Sequence, residues 1–194
     1  MEFKNKYIYL DYNSTTPIDP RVLEAMLPFL KDNFANPSST HHFGQSINEK
    51  VKQAREQIAY FINAESNELI FTSGATEAIN IVFKGVAESY SNKGKHIITV
   101  STEHKAVLDT CKDLERKGFE VTYLTVQPNG LIDLAELQKA IRPDTVLVSV
   151  MYVNNETGVI QPIKEIAKLA HEKGALFMTD ATQAVGKIEI DVND

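Results

Sequence analysis

Four short polar segments of the sequence combine residue types that could do chemistry, and each follows a predicted strand. Asp180 ends the apolar run 175–178 and is followed three residues later by Gln183. An aspartate at the carboxyl end of a buried strand lies where open α/β sheets bind ligands, although Asp is also common as a helix cap or turn residue. The other segments are Ser73-Gly-Ala-Thr76, Glu103-His104 and Asn154-Asn155.

The segment from Ser73 to Thr76 has the composition of a phosphate-binding turn. It offers small residues for close backbone approach, N–H groups at a helix start and a hydroxyl. A plain capped turn would have the same composition. The segment is neither a G-x-G-x-x-G motif nor a Walker loop, which argues against dinucleotide and nucleoside triphosphate binding.

His104 could stack on an aromatic ring, or it could be a structural histidine at a helix cap. We expect no metal site, because no set of His, Cys and carboxylate residues has ligand spacing. Cys111 is expected to be a buried small hydrophobic residue on a helix and not a reactive thiolate. A phosphate cradle, a stacking ring, a carboxylate and an amide are together typical of a pyridoxal phosphate pocket. The carboxylate would pair there with the protonated pyridine nitrogen.

The elements that must position these residues alternate along the chain. Predicted strands alternate with predicted helices that are long enough to connect two parallel strands, which indicates right-handed crossover connections. We therefore predict an α/β fold of three layers, a mostly parallel sheet with helices on both faces. The predicted strands are Leu69–Phe71, His96–Val100, Phe119–Val126, Thr145–Met151 and Ala175–Met178.

In the first part of the chain, the hydrophobic pattern expected of core-forming elements is weaker. A short strand is predicted over Tyr7–Leu10, a helix capped by Asp19 begins at Pro20, and a long polar helix covers about Ser46–Asn63. Farther along, Asp133 and Glu136 predict a capping box.

Composition excludes several classes of protein. The chain has 194 residues, 43% of them hydrophobic, which is enough for one substantial domain. The net charge is −6 and the sequence has no cluster of Lys and Arg residues, so nothing in it indicates a nucleic-acid-binding surface. The sequence shows neither a signal-peptide core nor an apolar run long enough to span a membrane, and its single cysteine fits a reducing compartment. We therefore expect a soluble, cytoplasmic protein that binds no membrane.

Several short motifs follow one another along the chain: Tyr9-Leu-Asp-Tyr-Asn-Ser-Thr-Thr-Pro17, Asn36-Pro-Ser-Ser-Thr-His41, Phe71-Thr-Ser-Gly-Ala-Thr-Glu77, Thr102-Glu-His104, Val153-Asn-Asn-Glu-Thr-Gly158 and Asp180-Ala-Thr-Gln183. Together they resemble the amino-terminal half of a cysteine desulfurase, a fold-type I pyridoxal phosphate enzyme of the class V aminotransferase family. Ser14 departs slightly from the family pattern, which more often has Ala there.

The resemblance implies roles for individual residues. Ala75 and Thr76 would hold the phosphate, and Asp180 would hold the pyridine nitrogen. Asn155 and Gln183 would bond the phenolic oxygen of the ring. His104 would stack on the ring and act catalytically in proton transfer.

The family relation also implies an activity and partners. Such enzymes turn L-cysteine into L-alanine and pass the sulfur, as an enzyme persulfide, to acceptor proteins for iron–sulfur clusters or tRNA thiolation. They are homodimers. Residues 1–15 would form an N-terminal segment, and residues 16–194 would form the amino-terminal part of the large, cofactor-binding domain.

The family's Schiff-base lysine lies in a Ser-x-His-Lys motif shortly after the Asp and Gln pair, and the sequence ends at Asp194 before that motif. Neither Lys105 nor Lys187 is expected to form the aldimine. We therefore expect a fragment that lacks the lysine and the persulfide cysteine and is inactive alone. A selenocysteine lyase or another class V relative, and a non-catalytic dimerisation or docking module, stay open as alternatives.

Overall fold

The computed structural model describes residues 8–194, which belong to two compact units. One unit contains the residues up to Ile70 together with Ile190–Asn193, and the other contains Phe71–Glu189 with Asp194. The candidate site residues named above all lie in the second unit. The predicted boundary after residue 15 stays a prediction.

The first unit is helical. Helix α1 covers Pro20–Lys31, α2 covers His42–Phe61, and a 3₁₀ turn covers Ser66–Glu68. As predicted, the Asp19 carboxylate caps α1, accepting from the Arg21 N–H at 2.8 Å. Helix α2 begins earlier than the predicted Ser46, because the His41 imidazole accepts from the Gly44 N–H at 3.2 Å and so caps the helix there.

Two strands predicted in this part of the chain do not form. Residues 69–71 are not part of any described strand; the Leu69 carbonyl accepts from the Arg55 guanidinium, and Ile70 and Phe71 are exposed. An apolar run is not a strand unless another strand supplies its hydrogen bonds. Of the predicted strand Tyr7–Leu10, Tyr7 lies outside the described residues and 8–10 form no strand.

The second unit contains the sheet and four helices. The strands are β1 (His96–Val100), β2 (Glu120–Leu124), β3 (Thr145–Ser149) and β4 (Leu176–Met178). All pairings are parallel, in the order β2-β1-β3-β4. The helices are α3 (Ala75–Ser89), α4 (Lys105–Arg116), α5 (Leu134–Ala140) and α6 (Ile163–Glu172).

Alternating side chains of the strands face two hydrophobic cores. On one face of the sheet, Ile98 and Val148 pack with residues of α5 and α6, such as Leu137 and Ile166. On the other face, residues such as Ile97 and Leu147 pack with α3 and α4. The three-layer α/β architecture with a parallel sheet is therefore confirmed.

The loop before α5 shows the predicted cap in part. The Asp133 carboxylate accepts from the N–H groups of Ala135 and Glu136, at 2.8 and 3.4 Å. Glu136 itself forms an ion pair with Lys139 at 2.9 Å. Asp133 therefore caps α5, while the Glu136 side chain pairs along the helix.

His96 ties three strands together at the amino edge of the sheet. Its side chain is fully buried, with Nδ1 2.7 Å from the Thr145 hydroxyl and Nε2 2.8 Å from the Thr122 hydroxyl. Burial, with the nearby Arg142 guanidinium, lowers the pKa of His96. The neutral imidazole therefore serves as a polar cross-link between β2, β1 and β3.

Candidate functional site

The sheet order brings three of the four polar segments to one edge. Strands β1, β3 and β4 are consecutive neighbours and all run in the same direction. Their carboxyl ends, and the loops that follow them, therefore lie side by side. These loops carry Glu103 and His104 after β1, Asn154 and Asn155 after β3, and Asp180 and Gln183 after β4.

Hydrogen bonds connect the neighbouring loops. The Asn154 side-chain amide donates to the Thr102 carbonyl at 2.9 Å, which joins the loops after β3 and β1. The Tyr152 N–H donates to the Asp180 carbonyl at 3.0 Å, which joins the segments after β3 and β4. The edge is thus a connected set of loops whose relative positions are fixed.

Asn154 shapes the loop that presents Asn155. The Asn154 side-chain oxygen accepts from the N–H groups of Glu156 and Thr157, at 3.0 and 2.9 Å, and from the Thr157 hydroxyl at 3.1 Å. Sequence reasoning gave a role only to Asn155, which is half-buried in the same loop. The signal for Asn154 was present, because Asn side chains commonly hold turns in this way.

Asp180 is half-buried just after β4, and its Oδ1 accepts from the Thr182 N–H at 3.0 Å. The turn-forming interpretation of this aspartate is therefore correct for one oxygen. It does not compete with ligand binding, because a carboxylate has two oxygens and several lone pairs. The turn leads to half-buried Gln183, whose side-chain oxygen accepts from the Lys187 ammonium.

Ala75 begins α3, and no side chain caps this helix at Gly74. The Ser73 N–H and hydroxyl donate to the Glu77 carboxylate instead, at 2.7 and 2.6 Å, and lower the pKa of Glu77. A Cβ added at Gly74 would meet nothing within 4 Å, so the approach to the helix start is open. Ala75 and Thr76 are exposed there, on a helix end that attracts anions.

His104 has one of the two roles considered for it, that of a structural histidine at a helix cap. It is the N-cap of α4, and its Nδ1 accepts from the Ala106 N–H at 3.1 Å. A neutral imidazole whose Nδ1 is an acceptor carries its proton on Nε2. The side chain is exposed, so the cap contact orients the ring and leaves Nε2 for another partner.

The neighbouring Glu103 is buried. Its Oε1 accepts from the Met151 N–H at 2.5 Å, and its buried Oε2 has no hydrogen-bond partner among residues 8–194. Burial, reinforced by the negative charge of Asp180, raises the pKa of Glu103 to about 8. Sequence reasoning noticed this residue but gave it no role, because its burial depends on the packing of β3 against β1.

Two kinds of feature are missing from residues 8–194. Within this range, no group of three or more His, Cys, Asp or Glu residues could hold a metal ion. The helices described there include none with the length and apolarity that crossing a membrane requires. Cys111 is buried on α4, as predicted, and burial raises the pKa of its thiol to about 12.

The sequence is similar to known cysteine desulfurases over nearly all its length. It is 57% identical over 188 residues to cysteine desulfurase IscS of Dechloromonas aromatica, which covers 96% of this chain and 46% of that protein. It is 60% identical over 188 residues to a probable mitochondrial cysteine desulfurase of Dictyostelium discoideum, covering 96% of this chain and 42% of that protein. The chain thus spans about half the length of these curated relatives.

Solved structures give the same result. A protein described as NifS-like superimposes with a TM-score of 0.93 at 42% identity, covering 96% of this chain and 52% of its own. A structure described as SspA in complex with cysteine superimposes with a TM-score of 0.92 at 45% identity, covering 95% of this chain and 53% of its own. The family profile described as Aminotransferase class-V matches residues 8–194. The chain therefore belongs to the class-V aminotransferase family and corresponds to the amino-terminal half of its cysteine desulfurases.

Proposed function

We propose that this chain provides the cofactor-binding part of a pyridoxal phosphate-dependent cysteine desulfurase. The observation that carries the proposal is the shared edge of β1, β3 and β4, where the loops present an imidazole, two amides and a carboxylate. Similarity to named cysteine desulfurases over 96% of the chain supports the same assignment. The whole activity would convert L-cysteine to L-alanine and pass the sulfur on as a persulfide.

The residues present fit the chemical groups of pyridoxal phosphate. The open, uncapped start of α3 at Ala75 and Thr76 suits a phosphate dianion. The half-buried carboxylate of Asp180 suits a protonated ring nitrogen, since burial strengthens such a charge pair. The amides of Asn155 and Gln183 can donate to the phenolic oxygen. When bound, the cofactor supplies an electron sink for the bonds around the substrate's α-carbon.

His104 is placed to hold and move a proton. Its Nδ1 is occupied by the Ala106 N–H, so proton exchange takes place at Nε2. The same contact fixes the plane of the ring, which favours stacking against a flat partner. We therefore assign His104 the roles of ring support and proton transfer, with Nε2 as the reactive atom.

The proposal includes partners and location. One relative with a solved structure is described as a complex with cysteine, in line with L-cysteine as the substrate. A homodimer, a sulfur-acceptor protein and a cytoplasmic location are part of the proposal by family relation. Cys111 is not a candidate for the persulfide, because its thiol is buried and its pKa is raised.

A titration of the 194-residue chain with pyridoxal phosphate, followed by absorbance, tests whether the proposed residues bind the cofactor. Asp180→Asn keeps an oxygen that can accept from the Thr182 N–H but loses the charge, and Asp109→Asn on exposed α4 surface is the matched control. Loss of one charge-assisted hydrogen bond should weaken binding about 10- to 100-fold in Asp180→Asn. Equal affinity for the two variants and the unchanged chain would contradict the proposal.

Borohydride reduction of the same mixture tests the lysine assignment. We expect no stoichiometric adduct on one lysine, only low and scattered labelling. A stoichiometric adduct on Lys105 or Lys187 would mean that one of these lysines anchors the cofactor.

A further inference from the structure

We propose that Glu103 is a positioning residue of the cofactor pocket that works as an uncharged carboxylic acid. It would join the loop after β1 to the end of β3 and hold the adjacent His104 in place. The inference rests on the function proposed above, because the pocket it serves is the proposed cofactor site.

The geometry of Glu103 is unusual for a carboxyl group. The residue is 7% exposed and its Oε1 accepts from the Met151 N–H at 2.5 Å, while no group in the described part of the chain forms a hydrogen bond with its buried Oε2. A carboxylate in such a place would leave one charged oxygen without any hydrogen bond, which is strongly unfavourable in a low-dielectric site. With a proton on Oε2, Oε1 still accepts from Met151 and no buried charge remains.

The charged surroundings favour the neutral acid as well. The electrostatic partners of Glu103 are Asp180 after β4 and the Cys111 thiol on α4, while the segment after β3 contributes the backbone N–H of Met151. In the part of the chain that the structure describes, no Lys or Arg forms a salt bridge with Glu103. These contacts leave Asp180 as the carboxylate that carries the charge for a ring cation.

Ionisation of Glu103 would disturb the neighbouring site. A charged Oε2 requires water, and water can reach it only if the loop after β1 moves away from β3. His104 follows Glu103 directly at the end of this loop, and its ring is oriented by the cap contact with the Ala106 N–H in the first turn of α4. Movement of the loop would therefore change the surroundings of the His104 ring without any change in His104 itself.

The first experiment follows the His104 ring resonances by NMR in the cofactor-free 194-residue chain, assigned by their absence in His104→Asn. We expect these resonances to shift in a step whose midpoint lies near the Glu103 pKa of about 8. Glu103→Gln, which keeps the acceptor and cannot ionise, should lack this step. Glu172→Gln, an exposed control on α6, should retain it.

The second experiment compares pyridoxal phosphate binding by the unchanged chain and Glu103→Gln across pH. If only the protonated form binds, the ratio of their dissociation constants should grow about 30-fold between pH 7 and pH 9.5. Titrations of the cofactor itself cancel in this ratio. Glu103→Ala should bind weakly at every pH; should it fail to fold, Glu103→Gln alone decides.

The outcomes separate the two proposals. Absence of the step near pH 8 together with a ratio independent of pH would overturn the role of Glu103, while cofactor binding itself would leave the proposed function intact. Absence of binding by either chain would overturn the proposed function and the pocket role of Glu103 together. The step near pH 8 in the His104 signal would still show that Glu103 ionises and moves the loop.

Discussion

At the scale of single residues, burial decides which ionisable side chains can take part in chemistry. His104 and Asp180 lie exposed or half-buried at the carboxyl edge, where a ligand could reach them. Cys111 and His96 are fully buried in or beside the cores. The same residue types thus have different tasks, and only the structure distinguishes them.

Cys111 should be inert while the chain is folded. Its thiol pKa of about 12 leaves almost no thiolate at pH 8, whereas an unfolded cysteine is partly ionised there. Labelling by a disulfide reagent should therefore be on the order of 1000-fold slower in the native chain than in urea. Fast labelling of the native chain, absent from a Cys111→Ser control, would contradict this prediction.

The residues of the candidate site were predictable to different degrees. Asp180, His104 and Asn155 could be named because polar residues directly after apolar runs stand out in a sequence. Glu103 follows the same pattern, yet its burial and its contact with Met151 depend on a strand that lies far away in sequence. No local pattern records such a contact.

At the scale of secondary-structure elements, one glycine sets how closely two connections approach. Gly94 lies in the turn before β1, and a Cβ added there would lie 2.0 Å from the backbone carbonyl oxygen of Asp144. That carbonyl accepts from the His96 N–H at 3.2 Å, just before β3. Backbone atoms cannot yield as a flexible side chain can, so the contact requires glycine.

Gly94→Ala should therefore destabilise the chain by about 1–3 kcal/mol, the usual cost of overpacking. Gly85→Ala is the matched control, because Gly85 lies within α3 and a Cβ there meets nothing within 4 Å. This control should stabilise the chain by about 0.5–1 kcal/mol through helix propensity. Urea unfolding of both variants measures the difference, and equal effects would refute the explanation.

Strands were predicted correctly where an apolar segment lies beside another strand that can pair with it. His96–Val100 and Thr145–Ser149 form the two inner strands, and both are completely buried, as continuous apolar runs suggest. Leu69–Phe71 has the same apolar character but no strand beside it in the described structure, so the prediction was wrong. A sequence shows which segments can form strands but not which of them find partners.

At the scale of the whole molecule, two buried groups set how stability changes with pH. The pKa of Glu103 rises from 4.5 to about 8 on folding, so the folded chain binds more protons between these values and stability falls as pH rises through this range. The pKa of His96 is lowered from 6.5, so its contribution is complete above 6.5 and is lost as pH falls. The exposed acids with lowered pKa values, such as Glu120, act only at lower pH.

Between pH 6.5 and 8, Glu103 should therefore dominate. We expect the free energy of unfolding to fall by up to about 1.4 kcal/mol per pH unit in this range. Glu103→Gln should remove most of this slope, and Glu172→Gln should not. Urea unfolding at pH 6.5, 7.25 and 8 provides the measurement; a slope retained in Glu103→Gln would place its origin in another group.

The two edges of the sheet in the second unit have different roles, one structural and one at the candidate site. The amino edge is held by His96 and by Arg142, which pairs with Glu120 at 2.6 Å and Asp144 at 2.9 Å, while the candidate site occupies the opposite edge. Substitutions that accumulate over generations at the amino edge would change the stability of the fold and leave the choice of ligand unchanged. Substitutions at the carboxyl edge would change the choice of ligand and leave the stability unchanged. A lineage of such proteins could therefore adapt to a new temperature and to a new substrate through separate sets of changes.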